Sequence, residues 1–286
     1  MCMKKTEKRN ASSYCNYNDI FISYDQNRQP NGLKELLHIF EETQIPLEEQ
    51  VVLEGGFGTG AYINEIRHPM KKIYGVEGSE QGYEETKQKV GDAKNVHLQI
   101  GNILDLSFSD DFFNAYMVNQ VLHHLDTEPS YPNLTLFLKE SRRVIKPGGV
   151  LTINTSTQEQ LNPNSGVYWN YKYIEKAALA MQARFIPVPM LLSRLEELGF
   201  TDIKTTIPSG KLFQEQYYRD PRLALDTDFQ KSDSIYCFLS AEEIVETNAL
   251  IRSSIDDESV YQHMEQTEKQ SEKIGEAVIV SARTPL

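Results

Sequence analysis

Short apolar runs separated by amphipathic stretches organise the chain. Residues 51–53 are an apolar, largely β-branched run that leads into glycines at positions 56, 58 and 60, which predicts a strand, a tight turn and then a helix. Further strands are predicted to end at residue 77, to span 96–100 and 113–119, and to begin at 150, with helical stretches between them. This regular alternation is typical of βαβ units and favours a parallel sheet with helices on both faces.

The same pattern divides the chain into four parts. An arm with scattered aromatic residues and a covering helix occupy residues 1–45, and the alternating core occupies 46–207, with a sixth strand at 202–207. Residues 208–273 are far longer than a connection between two strands requires, so we interpret them as a helical insertion that covers a site. An alternating pattern within 274–286 predicts a seventh and last strand.

Composition narrows the range of partners and locations. With 41 acidic and 29 basic residues the formal charge is −12, which repels nucleic acid and anionic membranes. No apolar run approaches the roughly 20 residues that a membrane helix needs. The three cysteines, Cys2, Cys15 and Cys237, are too scattered for a disulfide framework or a metal site. We therefore expect a soluble, cytoplasmic protein without a metal ion.

Polar side chains stand at the predicted carboxyl ends of the first four strands, where open parallel sheets bind their ligands. They are Glu54, Glu77, Asn102 and Asn119. A carboxylate at Glu77 can accept two hydrogen bonds from a ribose diol, and the glycine turn lets a ligand approach the backbone closely. The sequence therefore predicts an adenosine-type ligand.

Two adenosine ligands compete for this turn. Gly56, Gly58 and Ala61 satisfy the dinucleotide pattern G-x-G-x-x-A, and an acidic residue about 20 positions further on fits that reading as well. Against a dinucleotide, Glu54 stands where a pyrophosphate would approach, and a buried carboxylate there suits an ammonium group better. This favours S-adenosylmethionine and leaves an NAD-dependent enzyme as an alternative.

Five motifs follow one another in a recognisable order: EGGFGTG, GVEGS, GNILDLSFSDDFFNAYMVNQVLHHL, RVIKPGGVLTI and LEELGFTDI. Over about residues 50–205 the chain thus resembles the class I S-adenosylmethionine-dependent methyltransferases that act on small molecules. The resemblance implies a seven-stranded Rossmann-like α/β sheet, with six parallel strands, an antiparallel last strand and helices on both faces. It also implies that S-adenosylmethionine is the methyl donor and S-adenosyl-L-homocysteine the product.

The resemblance further implies which residues hold the cofactor. Glu77 would hold the ribose hydroxyls, Asn102 and Ile103 would flank adenine, and Arg28 would pair with the methionine carboxylate. At Asn102 the family usually has Asp, which weakens the implied hydrogen bond to the adenine amino group. The full set is Tyr24, Arg28, Glu54, Gly56, Gly58, Gly60, Glu77, Asn102, Ile103, Asn119 and His124.

Residues that bind the methyl acceptor are expected beyond the cofactor. Four are proposed to bind the substrate: Gln120, Tyr168, Trp169 and Tyr217. If the tyrosines and the tryptophan converge with Tyr14 and Tyr17, their rings would suit a cationic or aromatic acceptor. Because a sulfonium already activates its methyl group, no catalytic residue is assigned. His123 or His124 would act as a base only for a nucleophile that arrives protonated.

We therefore predict an enzyme that transfers a methyl group by in-line displacement to a small metabolite, with an amine, a thiol or another nucleophile as acceptor. Besides the NAD-dependent enzyme, three alternatives stay open: a protein methyltransferase, a tRNA methyltransferase, and a non-catalytic module that binds S-adenosylmethionine. The acidic charge argues against tRNA, and the large insertion argues against a protein substrate. The sequence leaves the acceptor atom and the oligomeric state open.

Overall fold

The computed structural model of the chain describes residues 20–126 and 130–286. The predictions at Tyr14, Tyr17, Cys2 and Cys15 lie outside these residues. Among the described residues, seven strands form one sheet: β1 Val51–Gly55, β2 Lys72–Glu77, β3 Val96–Ile100, β4 Phe113–Asn119, β5 Ile145–Thr155, β6 Thr201–Thr206 and β7 Val278–Arg283.

Eleven α-helices accompany the described sheet. They are α1 Tyr24–Asn27, α2 Leu33–Glu41, α3 Ala61–Ile66, α4 Glu80–Val90, α5 Pro132–Val144, α6 Glu175–Gln182, α7 Val188–Glu197, α8 Glu215–Arg219, α9 Thr227–Ser232, α10 Ala241–Asp256 and α11 Ser259–Ile274. Short 3-10 segments lie at Phe21–Ser23, Leu47–Glu49, Leu122–His124, Trp169–Ile174, Pro221–Leu225 and Ser234–Phe238. None of the helices in the described ranges is both long and apolar enough to cross a membrane.

The strand order is β3-β2-β1-β4-β5-β7-β6. The pairs β1–β2, β1–β4, β2–β3 and β4–β5 are parallel, whereas β7 is antiparallel to both β5 and β6. The fold class is therefore confirmed, with six parallel strands and an antiparallel last strand. The direction of winding reverses between β1 and β4, the place where an open α/β sheet forms a crevice for a ligand.

Alternate residues of the central strands pack into two different cores. Val52 lies in the core that α2 and α3 cover, whereas its neighbour Leu53 lies in the core that α5 and α7 cover. All seven residues of β4 are buried, because helices shield both of its faces. This packing fixes the position of the strand ends that line the site.

Several predicted boundaries shift by a few residues. The largest shift is in β5, which begins at Ile145 rather than at 150 because Ile145 pairs with Phe113 across a bulge. Lys146 and the glycines after it therefore belong to the strand. The strand β6 begins and ends one residue earlier than expected.

Residues 208–273 contain α8 to α11 and build a core of their own with the segment after β5. The largest buried side chains of this core include Trp169, Phe213, Tyr217 and Phe229. Cys237 lies in the same region and is disulfide-bonded, although the spacing of the cysteines predicted no disulfide framework.

The arm is joined to the insertion by backbone hydrogen bonds. Gln29 N–H donates to Leu212 O at 3.0 Å, Gln214 N–H donates to Asn27 O at 2.9 Å, and Arg28 forms an isolated antiparallel bridge with Phe213. These bonds hold the arm and the insertion together at one wall of the cavity described next.

Candidate functional site

A cavity of about 1170 Å³ lies at the carboxyl ends of the central strands. Its walls come from the arm, the glycine turn after β1, the ends of β2 and β3, the loop after β4, the segment after β5 and the insertion. Pockets for one small ligand usually measure about 300–1,000 Å³. The cavity therefore has room for a nucleoside-sized ligand and a second molecule.

Glu54 ends β1 in the floor of this cavity and is only 1% exposed. Its Oε1 accepts a hydrogen bond from Asn119 Nδ2 at 2.9 Å, and its Oε2 is buried without a partner among the described residues. Burial raises the pKa of Glu54 to about 8, and nearby Glu77 adds to the rise. A cation placed at Oε2 would satisfy this oxygen and favour the ionised carboxylate.

Glu77 ends β2 and is held in a fixed orientation by two backbone amides. Its Oε2 accepts from Gly58 N–H and its Oε1 from Ser79 N–H, each at 2.8 Å. Burial raises the pKa of Glu77, and the bonds from Gly58 and Ser79 oppose this rise. A carboxylate has about four acceptor positions, so two remain for a diol.

The glycine turn owes its glycines to backbone conformation and close packing. Gly56, Gly58 and Gly60 all have positive φ, at 67°, 53° and 72°. A Cβ on Gly60 would lie 2.3 Å from a carbon of Thr86, and one on Gly56 would lie 2.7 Å from Val121. The expectation that missing Cβ atoms make room for a ligand is thus corrected at Gly56 and Gly60, where protein side chains occupy that space.

The outer end of the cavity lies beyond β3. Ile103 is buried and lines it, together with Ile100 and Leu104. Asn102 also lines it but is exposed, and its Oδ1 accepts a hydrogen bond from Leu104 N–H at 3.0 Å. The Asn102 side chain is therefore engaged in a local turn, and the apolar side chains offer the flatter surface for a base.

The arm contributes Tyr24 and Arg28 to the cavity wall. Arg28 is ion-paired with Asp233 of the insertion at 2.9 Å, and its guanidinium carbon lies 3.7 Å from the centre of the Phe213 ring. Burial would lower the pKa of Arg28, but Asp233 and Tyr24 raise it. Its Nε is buried without a partner among the described residues. Asp233 was not identified from the sequence, since a lone acid in a helical insertion carries no distinguishing pattern.

The end of β4 and the loop after it bring four predicted residues to the cavity: Asn119, Gln120, His123 and His124. Gln120 has a positive φ of 55°, and its Nε2 is buried without a partner in the described part of the chain. Burial and Arg184 lower the pKa of His124 to about 3. Burial also lowers the pKa of His123 well below its usual range, as do His124 and Arg184. Both imidazoles are therefore neutral at physiological pH.

Of the predicted acceptor residues, Gln120 and Tyr168 line the cavity, whereas Trp169 and Tyr217 do not. Trp169 Nε1 donates to Tyr217 O at 2.9 Å, and the Tyr217 ring stacks on Phe213 at 4.1 Å. These two residues are corrected to core positions, because their rings fill the interior of the insertion. The cavity wall includes five residues that the sequence reasoning missed: Leu161, Tyr171, Met181, Phe185 and Leu212.

The segment that contains these cavity residues is similar to a known protein family. A sequence profile described as "Methyltransferase domain" matches residues 53–153, the segment that holds Glu54, Glu77 and Asn119. The chain carries a methyltransferase domain. Its resemblance to class I S-adenosylmethionine-dependent methyltransferases is thereby confirmed for this segment.

Relatives of the methyltransferase domain agree with this assignment. Demethylmenaquinone methyltransferase of Bacillus velezensis is 33% identical over 135 residues, which are 42% of this chain and 55% of that protein. The chain thus spans about half the length of this curated relative.

Solved structures share the fold of the methyltransferase domain. A protein described as a methyltransferase from an antibiotic biosynthesis pathway of Anabaena variabilis has a TM-score of 0.66 at 16% identity, over 89% of this chain and 98% of that one. Phosphoethanolamine N-methyltransferase 2 of Haemonchus contortus, solved with S-adenosyl-L-methionine, has a TM-score of 0.56 at 14% identity. That match covers 93% of this chain and 57% of the other.

Proposed function

We propose that the protein transfers a methyl group from S-adenosylmethionine to a small-molecule acceptor in this cavity. One observation carries the proposal: the buried carboxyl groups of Glu54 and Glu77 end neighbouring strands and line one cavity. The two groups match the two ends of an amino-acid nucleoside. Glu54 suits its ammonium group and Glu77 suits its ribose hydroxyls.

The other contacts that we propose for the cofactor come from residues that line the same cavity. Arg28 Nε is a buried donor without a partner in the described residues, which fits a carboxylate. Ile103, beside Asn102, offers an apolar surface for adenine. When bound, S-adenosylmethionine supplies a methyl group that its sulfonium already activates.

A dinucleotide fits this wall poorly. A pyrophosphate would lie across the glycine turn beside Glu54, whose Oε2 needs a hydrogen-bond donor and repels an anion once it is ionised. No lysine lines the cavity among the described residues. An NAD-dependent enzyme is therefore disfavoured.

A small acceptor is favoured over a macromolecule because the arm and the insertion together form a wall of the cavity. We propose that residues 1–45 and 208–273 act as this cover over the core at 46–207. The similarity to demethylmenaquinone methyltransferase and phosphoethanolamine N-methyltransferase, both named for small acceptors, supports the same view. The net charge of −12 disfavours nucleic acid, and we place the activity in the cytoplasm as part of this proposal.

The protein contributes alignment and exclusion of water. Glu54, Glu77 and Arg28 orient one molecule, and the covered wall keeps the acceptor close to it. Alignment of this kind can lower a barrier by about 7–11 kcal/mol in the best cases. Neutral His123 also lines this cavity, and its Nδ1 is buried without a hydrogen-bond partner among the described residues.

The proposal is tested with S-adenosylmethionine labelled in its methyl group. The full chain is incubated with the small-molecule, protein and RNA fractions of a cell extract, and the label is counted in each fraction. We expect transfer into the small-molecule fraction. Label confined to protein or RNA would contradict the proposal, and cofactor binding without transfer to any fraction would identify a non-catalytic binding module.

A further inference from the structure

The cavity has two chemically different halves. The half over β1, β2 and β3 contains Glu54, Glu77 and the glycine turn, which the proposed function assigns to the cofactor. Strands lie about 4.8 Å apart, so β5 stands roughly 19 Å from β3 in this order. The half beside β4 and β5 is therefore left for the acceptor, and we call it the acceptor half.

Apolar and aromatic side chains make up most of the acceptor half: Leu161, Tyr168, Tyr171, Met181, Phe185 and Leu212. All six are buried. The Tyr168 hydroxyl already donates to the carbonyl oxygen of Glu276 at 3.0 Å, so this ring presents its carbon faces to the cavity. Such a wall binds an aromatic or other apolar body by removing its surface from water.

The charged groups beside the acceptor half form an ion pair. Asp233 lines the cavity and pairs at 2.9 Å with Arg28, which the proposed function assigns to the cofactor. The pair carries no net charge, and Asp233 Oδ2 is buried without a hydrogen-bond partner among the described residues.

His123 is one of the polar residues that line the cavity, and it packs against the apolar wall. Its ring stacks on Phe185, with ring centres 4.3 Å apart and planes inclined by 16°. Its side chain is buried, and Nδ1 has no hydrogen-bond partner among the described residues. A buried nitrogen without a partner costs free energy, which a ligand with a complementary group would recover.

We infer that the acceptor is a hydroxyl compound with an aromatic or other apolar body, and that His123 accepts the hydrogen bond of its hydroxyl group and would take up the hydroxyl proton when the oxygen receives the methyl group. The inference rests on the proposed function, because it assigns the other half of the cavity to the cofactor. A neutral imidazole always has one acceptor nitrogen, so it pairs with a neutral donor without a change of charge.

The surroundings of His123 also discriminate against a cation. Besides burial and His124, the positive charges of Arg184 and Arg28 lower the pKa of this imidazole. The same charges repel an ammonium group held at that position and favour the partly negative oxygen of a hydroxyl group.

Three probes with one ring system test this inference: 2-naphthol, 2-methoxynaphthalene, which lacks the donor, and naphthalen-2-ylmethanamine, which is a cation at pH 7. Each is titrated calorimetrically into the full chain with and without saturating S-adenosylhomocysteine. We expect 2-naphthol to bind about tenfold more tightly than 2-methoxynaphthalene and about a hundredfold more tightly than the cation.

Two variants test whether His123 causes the preference for 2-naphthol. His123→Phe keeps a ring against Phe185 but removes both nitrogens, so 2-naphthol should fall to the affinity of 2-methoxynaphthalene. His263→Phe changes another buried histidine, which lies on α11 and does not line the cavity, so the preference should remain tenfold. The wild-type order of the three probes stands on its own if a variant fails to fold.

The inference is overturned if the cation binds as tightly as 2-naphthol, if the methoxy compound does, if none of the three binds, or if His123→Phe keeps the preference. The titration with S-adenosylhomocysteine distinguishes failure of this inference from failure of the proposed function. If S-adenosylhomocysteine does not bind, the proposed function is contradicted. The order of the three probe affinities, measured without S-adenosylhomocysteine, still decides the inference.

Discussion

Glu54 and Asn119 join the ends of the two central strands through a hydrogen bond of 2.9 Å between Oε1 and Nδ2. The bond leaves two buried acceptors without partners among the described residues, Glu54 Oε2 and Asn119 Oδ1. Two acceptors beside the point where the sheet reverses its winding are complementary to a group with several N–H donors. An ammonium group has three such donors.

Replacing Glu54 with Gln should weaken the binding of S-adenosylmethionine by about 10- to 150-fold, the usual worth of a hydrogen bond to a charged group. Gln keeps the size of the side chain but removes its charge. Isothermal titration measures the effect, and Glu84→Gln, an exposed position on α4, serves as the matched control. A loss below twofold in Glu54→Gln would rule out a role for the carboxylate in binding.

Binding of S-adenosylmethionine should release a proton at pH 7. Because the pKa of Glu54 is raised to about 8, roughly nine tenths of its carboxyl groups are protonated in the free protein at that pH. An ammonium group next to Oε2 favours the ionised form, so the proton leaves. Titrations in buffers of different ionisation enthalpy count the released protons. Zero release, or uptake, would show that Glu54 does not meet a cation.

Stability without ligand should fall as the pH rises from about 5 to 8. The pKa of Glu54 lies at about 8 in the folded protein against an ordinary value near 4.5, so the folded chain holds a proton in this window that the unfolded chain has lost. The stabilisation is complete below pH 4.5 and disappears as the pH passes 8. The raised pKa of Glu77 acts in the same direction.

Urea unfolding at pH 5.5 and pH 8 measures this effect. The unfolding free energy of the wild type should fall by up to a few kcal/mol relative to that of Glu54→Gln, since one pKa unit corresponds to about 1.4 kcal/mol. An identical pH dependence in the two proteins would show that Glu54 titrates normally.

Gly60→Ala should destabilise the protein more than Gly199→Ala does. Both glycines have positive φ, 72° and 78°, so each alanine meets a conformational penalty of about 1–2 kcal/mol. Only at Gly60 would the new Cβ also collide with Thr86, at 2.3 Å, whereas at Gly199 the nearest atom lies 3.8 Å away. Overpacking adds about 1–3 kcal/mol, which thermal unfolding detects. Equal losses would contradict this account of the turn.

The sheet was predictable because its signals are local. The partly exposed edge strand β3 and the buried strand β4 begin and end at the predicted residues, since Gly101 and Gln120 directly follow them. The start of β5 was missed because pairing of Ile145 with Phe113 overrides the turn signal of Lys146 and the glycines that follow it. Such a pairing depends on residues more than 30 positions apart.

The residues of the candidate site also divide into those that local sequence signals predict and those that they do not. Glu54, Glu77 and Asn119 lie at the carboxyl ends of their strands, so sequence position alone brings them together at one edge of the sheet. The residues proposed to bind the methyl acceptor come from segments whose packing no local sequence pattern predicts. Trp169 and Tyr217 are aromatic residues in the same regions as Tyr168 and Tyr171, yet they turn into the core of the insertion. The pairing of Arg28 with Asp233 joins positions separated by 205 residues.

The central claim is that Glu77 and Glu54 hold one molecule of S-adenosylmethionine. Isothermal titration of the full chain, its Glu77→Gln variant and its Glu84→Gln control with S-adenosylmethionine and with NAD tests it most directly. The account predicts one site for S-adenosylmethionine, a loss of roughly 10- to 100-fold in Glu77→Gln only, and no binding of NAD. Binding of NAD without S-adenosylmethionine, or unchanged affinity in Glu77→Gln, would contradict it.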